Sequence, residues 1–121
     1  MERPSPAAFG FYQKIKGKDK QDFPAFAAQR EKLLPWIAEY SPYALLSPDD
    51  PPVHLTYVTR PKFGQDDKDP THSANLGVGL AEKCKEVGVE YELTYPGAPN
   101  VKHADLHDFL ISRLTQPRKG P

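Results

Sequence analysis

The order strand, long helix, strand between residues 53 and 95 constrains the fold more than any other feature of this chain. Residues 53–59 (Val-His-Leu-Thr-Tyr-Val-Thr) are β-branched and aromatic and have prolines on both sides, which predicts a strand. Residues 89–95 predict a second strand. Between them, Gly88 ends a helix whose apolar residues recur at helical spacing: Leu76, Leu80, Ala81, Cys84 and Val87. A crossover helix of this length joins parallel strands, so we expect a right-handed parallel unit.

Further helices are predicted on both sides of this unit. Asp22 is typical of a helix N-cap, and Pro35 predicts a break or kink before a second helical piece that ends at Tyr40. Asp69, followed by proline, predicts the cap of the crossover helix. A last helix is predicted over about residues 104–116.

These elements predict an α/β fold with a small parallel sheet, in the order strand, helix, strand, helix, flanked by helices. We expect one domain over residues 1–121, with a loosely structured segment over residues 1–21 and the folded part over residues 22–121. Two parallel strands alone would leave both edges of the sheet open. We therefore expect a second copy of the chain to complete the sheet, which makes the protein a homodimer.

The composition narrows the range of partners. Sixteen basic and sixteen acidic residues give a formal charge of zero, which argues against a nucleic-acid partner. No stretch approaches the roughly 20 apolar residues needed to span a bilayer, so no membrane partner is expected. The only cysteine is Cys84, so an intrachain disulfide is not possible and a reducing, cytoplasmic location is expected.

Histidines and aspartates follow both predicted strands. His103 and His107 are four residues apart where the last helix is expected to start, so on a helix they would share one face. That geometry suits a divalent metal ion such as zinc. Asp69 and His72 follow the first strand and should lie at the same sheet edge, where α/β sheets bind ligands. Simpler interpretations are a surface histidine pair, an aspartate that only caps a helix, and His54 as a packing residue within the strand.

The chain also resembles the C-terminal part of α/β-hydrolases of the esterase/lipase type, over roughly residues 36–115. The resemblance lies in the order of these segments: Pro51-Pro52-Val53-His54-Leu55-Thr56-Tyr57, Asp69-Pro70-Thr71-His72-Ser73, Leu80-Ala81-Glu82-Lys83, Gly88-Val89-Glu90-Tyr91-Glu92-Leu93-Thr94-Tyr95-Pro96-Gly97-Ala98 and His103. It implies that Asp69 is the acid and His103 the histidine of a Ser-acid-His triad. Asp66 or Asp67 would be the acid under a different alignment of the loop.

The chain departs from that family in one essential respect. It contains no Gly-x-Ser-x-Gly segment and no glycine-rich oxyanion segment before one, so the triad lacks its nucleophile. A metal-bound hydroxide could take the place of the serine. The leading hypothesis is therefore a metal-assisted hydrolase of activated esters, phosphoesters or phosphotriesters, with His103, His107, His72 and Asp69 as candidate ligands. The alternatives are a non-catalytic hydrolase remnant that serves as an interaction module, and a fragment of a serine esterase.

Overall fold

A computed structural model describes residues 6–117, and it has a mixed α/β architecture. The elements in chain order are β1 (Tyr12–Ile15), β2 (Lys18–Gln21), α1 (Phe23–Tyr40), α2 (Pro42–Leu45), β3 (Val53–Thr56), α3 (Ala74–Val87), β4 (Tyr91–Thr94) and α4 (Leu106–Leu114), with short 3-10 turns at Pro6–Phe9 and Pro70–His72. Among residues 6–117, no helix combines the length and the apolar character needed to cross a bilayer.

The predicted parallel unit is confirmed. Strands β3 and β4 pair in parallel, with Val53 opposite Tyr91 and Thr56 opposite Thr94. The ladder continues past β3, because the N–H of Tyr57 donates to the carbonyl of Thr94 at 2.8 Å. Both strands are four residues long, shorter than the predicted ranges.

The two faces of the parallel pair are chemically different. Side chains alternate along a strand, so Leu55 and Leu93 share one face, and His54 and Glu92 share the other. Helix α3 packs on the first face, through a side that includes Ala74, Gly77, Ala81 and Cys84. The second, polar face is the one that α4 covers, because the ring of Phe109 lies 4.9 Å from that of His54.

Helix α3 begins and ends on local signals, but the prediction that Asp69 caps it was wrong. Ser73 is the N-cap, and its side chain accepts a hydrogen bond from the N–H of Asn75. Asp69 instead precedes the 3-10 turn Pro70–His72, where it makes no capping bond. The C-terminal stop at Gly88 is confirmed, with φ of 86°, a conformation that glycine adopts at little cost.

Helix α1 has the predicted N-cap but not the predicted break. The carboxylate of Asp22 accepts a hydrogen bond from the N–H of Ala25 at 3.0 Å. The helix is continuous to Tyr40, although Pro35 removes one backbone donor from it. Buried side chains at Phe26 and Ile37 anchor the helix on both sides of the proline, so tertiary packing offsets the lost bond.

Residues 6–21, the described part of the N-terminal segment, contain a hairpin that the sequence did not predict, while residues 1–5 lie outside the described range. Strands β1 and β2 form an antiparallel hairpin in which Ile15 pairs with Lys18. The two residues between them, Lys16 and Gly17, have φ of 50° and 73°. Positive φ at both positions is the requirement of a type I′ turn, which suits the twist of a two-residue hairpin.

The tight contact of α3 with the sheet predicts the effect of Gly77→Ala. A Cβ atom at Gly77 would lie 2.1 Å from the ring of Tyr57 and 2.9 Å from Leu93. Overpacking of this kind costs about 1–3 kcal/mol, which exceeds the gain of about 1 kcal/mol from replacing a helical glycine. We expect chemical denaturation to show a lower free energy of unfolding for Gly77→Ala.

Two variants control this measurement. Glu82→Ala, an exposed change on the same helix, should leave the free energy of unfolding nearly unchanged. Adding Tyr57→Leu to Gly77→Ala should recover part of the loss, because it removes the ring that meets the new methyl group. A Gly77→Ala protein as stable as the parent would contradict the close packing of α3.

Candidate active site

His103 is carried by the loop that follows β4, at the carboxyl end of the parallel pair. This loop turns back on itself: the N–H of Ala98 donates to the carbonyl of Tyr95 at 2.9 Å, and Gly97 and Asn100 have φ of 79° and 59°. Arg60, from the loop after β3, packs against Gly97, where an added Cβ would lie 2.8 Å from the guanidinium. The two loops that follow the strands therefore meet at this edge.

A buried carboxylate on β4 holds the histidine. Glu92 is only 5% exposed, and its Oε2 lies 2.5 Å from Nδ1 of His103. The other oxygen, Oε1, accepts hydrogen bonds from the backbone N–H groups of Lys102 and His103, both at 2.9 Å. One side chain thus fixes both the backbone and the ring of His103.

The electrostatics of this pair favour the ionised carboxylate. Burial on its own raises the pKa of Glu92. Hydrogen bonds from the His103 ring and from the N–H groups of His103 and Lys102 together outweigh burial, so the pKa lies below its usual value. An ionised carboxylate can only accept, so Nδ1 of His103 carries the hydrogen that is shared with Glu92. In the neutral ring, Nε2 is then the basic nitrogen.

An aromatic residue of α4 separates this pair from a second histidine. The ring of Phe109 meets the His103 ring edge-on at 5.5 Å and the His54 ring at 4.9 Å. Nδ1 of His54 is 3.1 Å from the hydroxyl of Thr56, while its Nε2 is buried without a hydrogen-bond partner among the described residues. His54 is thus a packing residue of the polar face, as the simpler interpretation predicted.

His103 and His107 do not share a helical face, contrary to the prediction. Helix α4 begins at Leu106, with Asp105 as its N-cap, so His103 lies in the preceding loop. Glu92 determines this outcome, because it binds the backbone at Lys102 and His103 before the helix can start. His107 is 88% exposed, and its Nδ1 lies 4.0 Å from a carboxylate oxygen of Asp105.

The residues predicted after the first strand form a separate, exposed pair. Asp69 accepts from the hydroxyl of Thr71 at 2.9 Å and lies 2.8 Å from Nδ1 of His72. The hydrogen bonds from His72 and then Thr71 lower the pKa of Asp69. Its neighbour Asp67 accepts from the backbone N–H of Asp69 at 3.1 Å. The acid that contacts His103 is therefore Glu92 on β4, and Asp69 contacts His72 instead.

The predicted metal ligands do not converge in this structure. Within the described part of the chain, no group of three or more His, Cys, Asp or Glu side chains lies close enough together to hold an ion. Cys84 is fully buried in α3, as expected of a core residue. His103 remains suited to a single metal–nitrogen bond, because a carboxylate already supports its other ring nitrogen.

Glu92 is the site residue that sequence reasoning did not single out. In the sequence it lies within the second predicted strand and within a segment of the hydrolase resemblance, and neither gives it a role. The signal in the sequence is a glutamate in the middle of a short predicted strand. If that face of the sheet is covered, the charged side chain needs a hydrogen-bonding partner. That signal does not identify the partner, which lies eleven residues further along the chain.

Comparisons of this chain with models of protein families, with curated proteins and with solved structures found no match. The resemblance to α/β-hydrolases, and the activity that it implies, therefore stay predictions.

The lowered pKa of Glu92 predicts an acid-sensitive contribution to stability. The contribution is present above the pKa of an unfolded glutamate, about 4.3, and is lost as the pH falls through the lower pKa of the folded state. At pH 7 we expect Glu92→Gln to lower the free energy of unfolding by about 1–3 kcal/mol, because a buried charge-assisted bond is lost. The parent and the variant should converge as the pH falls through that lower pKa.

Denaturant titrations between pH 7 and pH 3 measure this convergence. Glu82→Gln, an exposed change on α3, provides the matched control and should show no pH-dependent difference from the parent. A constant difference between the parent and Glu92→Gln across this range would show that the charge of Glu92 contributes nothing.

Proposed function

We propose that this chain hydrolyses activated esters, with His103 as the general base and Glu92 as the carboxylate that positions it. The observation that supports this is the contact of 2.5 Å between Nδ1 of His103 and the buried carboxylate of Glu92. A carboxylate in this position fixes the tautomer and the orientation of the imidazole, as it does in hydrolase triads.

The proposed step uses the nitrogen that faces away from Glu92. Nε2 of His103 removes a proton from a water molecule while the water oxygen attacks the carbonyl carbon of an ester. Glu92 stabilises the imidazolium that forms and stays ionised. The tetrahedral intermediate then expels the alkoxide or phenoxide, which takes the proton back from Nε2. Phosphotriesters with a good leaving group are a second substrate class for the same base.

The surroundings of His103 also suit a general base. The His103 side chain is 17% exposed, so the ring is largely shielded from water but not closed off from it. Phe109 supports the ring from the side at 5.5 Å and limits its rotation. A general base held in one orientation contributes about 10²- to 10⁴-fold to a proton-transfer step.

The metal-assisted form of this chemistry needs more than the described residues provide. His103 would offer one ligand through Nε2, supported by Glu92, but the predicted partners His107, Asp69 and His72 are not grouped with it. His103 could equally remove the proton from a serine hydroxyl that a partner or a longer chain supplies. The proposal therefore rests on the base and not on the identity of the nucleophile.

A second candidate function is a non-catalytic interaction module. It is favoured by the many large apolar side chains that remain exposed, which include Tyr40, Val58, Phe63 and Leu114. Where exposed apolar side chains form a contiguous patch, they are typical of a contact with another protein.

Variants at the two carboxylate–histidine pairs test the proposed activity. With 4-nitrophenyl acetate as the substrate, we expect His103→Gln to reduce kcat/KM by about 10²-fold or more, since the base is lost. Glu92→Gln should reduce it by about tenfold or more, since the ring is no longer held in one tautomer. His72→Gln alters the exposed pair with Asp69 and should leave the rate unchanged.

Chelation separates the two forms of the mechanism. We expect activity to survive EDTA if water is activated by His103 alone. Activity that EDTA abolishes and zinc restores would favour the metal-assisted form, and loss on His107→Gln would then place that residue among the ligands. Activity that survives His103→Gln would contradict both forms. A folded protein with no hydrolysis above the buffer rate would favour the interaction module.

A further inference from the structure

The two loops that leave the carboxyl ends of β3 and β4 differ in charge from the rest of the chain. Residues 57–65 contain Arg60 and Lys62, and residues 95–104 contain Lys102, but neither segment contains an aspartate or a glutamate. The chain as a whole has equal numbers of basic and acidic residues. Positive charge is therefore concentrated where these loops meet, at the edge where parallel sheets bind ligands.

Arg60 is held at this edge by packing and not by an ion pair. Its guanidinium lies against Gly97, where an added Cβ would be 2.8 Å from Nη2 and 3.2 Å from Cζ. The loop is fixed to α3 two residues further on, because Asn75 accepts from the N–H of Lys62 at 2.7 Å and donates to its carbonyl at 3.0 Å. In the described part of the chain, no carboxylate lies within ion-pair distance of the guanidinium. Its charge is therefore available to an anion from solution.

A second cation is adjacent to the candidate base. Lys102 precedes His103, and the N–H groups of both donate to one oxygen of Glu92 at 2.9 Å. Lys102 is exposed, and its ammonium makes no ion pair with any residue that the structure describes. The carboxylates on either side are already engaged, since Glu92 binds the His103 ring and Asp105 caps α4. An anion near His103 therefore meets positive charge without a competing free carboxylate.

We propose that this edge selects esters that carry an anionic group, with the guanidinium of Arg60 as the main contact of that group. The inference rests on the proposed function, because it names the substrate class of the same site. A carboxylate suits the contact, since a guanidinium can bind it through two parallel hydrogen bonds. Lys102 adds long-range attraction for the same negative charge and favours encounter with anionic substrates.

The contact acts on binding and not on the chemical step. The anionic group keeps its charge throughout the reaction, so Arg60 contacts it equally in the bound substrate and in the transition state. Loss of the contact therefore raises KM and leaves kcat nearly unchanged. A purely structural role of Arg60 against Gly97 would instead change the kinetics of charged and neutral substrates alike.

Two aryl acetates of similar size test the selectivity. 4-Acetoxybenzoate has a carboxylate that cannot reach its own ester across the ring, and 4-acetoxybenzamide is the neutral counterpart. After division by the uncatalysed rates, we expect the parent to favour the benzoate in kcat/KM by about tenfold, as a hydrogen bond to a charged group allows. Arg60→Gln should remove this preference through KM and leave the benzamide kinetics unchanged. Arg60→Lys should keep part of the preference, because it keeps the charge.

A charge change elsewhere provides the control for this comparison. Lys85→Gln removes an exposed charge on α3 and should leave the preference of the parent intact. If the parent hydrolyses both esters with equal kcat/KM, or if Arg60→Gln loses activity equally on both, the inference is overturned while the proposed function stands.

Binding of the product separates the inference from the proposed function. 4-Hydroxybenzoate binds without any hydrolysis, and 4-hydroxybenzamide is its neutral control. We expect millimolar 4-hydroxybenzoate, but not the benzamide, to shift the amide NMR signals of Gly97 and Lys102 in the parent and to shift neither in Arg60→Gln. Such shifts in a chain that hydrolyses neither ester would support the anion site and contradict the proposed function. A parent whose signals do not move would overturn the anion site, whatever its activity.

Discussion

The carboxylate of Glu92 accepts two backbone hydrogen bonds and one from an imidazole, and the position of the whole segment after β4 depends on it. A buried carboxylate is destabilising unless its oxygens accept hydrogen bonds. If the loop moved away from Glu92, the carboxylate would lose these bonds, so the loop is held in place. Because the loop is held at Lys102 and His103, α4 must begin only after Asp105. The polar face of the sheet is then covered by Phe109. One interaction thus determines the location of the candidate base and the packing of the last helix.

The elements that sequence reasoning predicted correctly are those with local signals. The cap at Asp22 and the stop at Gly88 each depend on one residue and its nearest neighbours along the chain. The parallel pairing follows from chain order and from the handedness of crossover connections. The hairpin was missed because its turn is Lys16-Gly17, a weaker signal than Asn-Gly or Asp-Gly. Continuity of α1 through Pro35 depends on tertiary packing, which a local rule cannot include.

The candidate site was predicted only in part, because its geometry is not local. His103 was identified by its place after the second strand, but its partner depends on how the loop between them turns. That path requires positive φ at Gly97 and Asn100. Both residue types favour turns, but they do not specify where the loop leads. The spacing of His103 and His107 suggested a shared helical face. The hydrogen bonds of Glu92 and the cap at Asp105 start the helix too late for that arrangement.

The size of the core limits how much apolar surface this fold covers on its own. The described apolar residues that are buried are few for a chain of this length, with Phe26, Ile37 and Phe109 the largest among them. A two-stranded sheet covered by single helices cannot bury more, since each helix has one side on the sheet and one side in water. Additional burial would need a contact with another molecule. Helix α4 shows this limit, because Phe109 packs on the rings of His54 and His103 while Leu110 and Ile111 stay exposed.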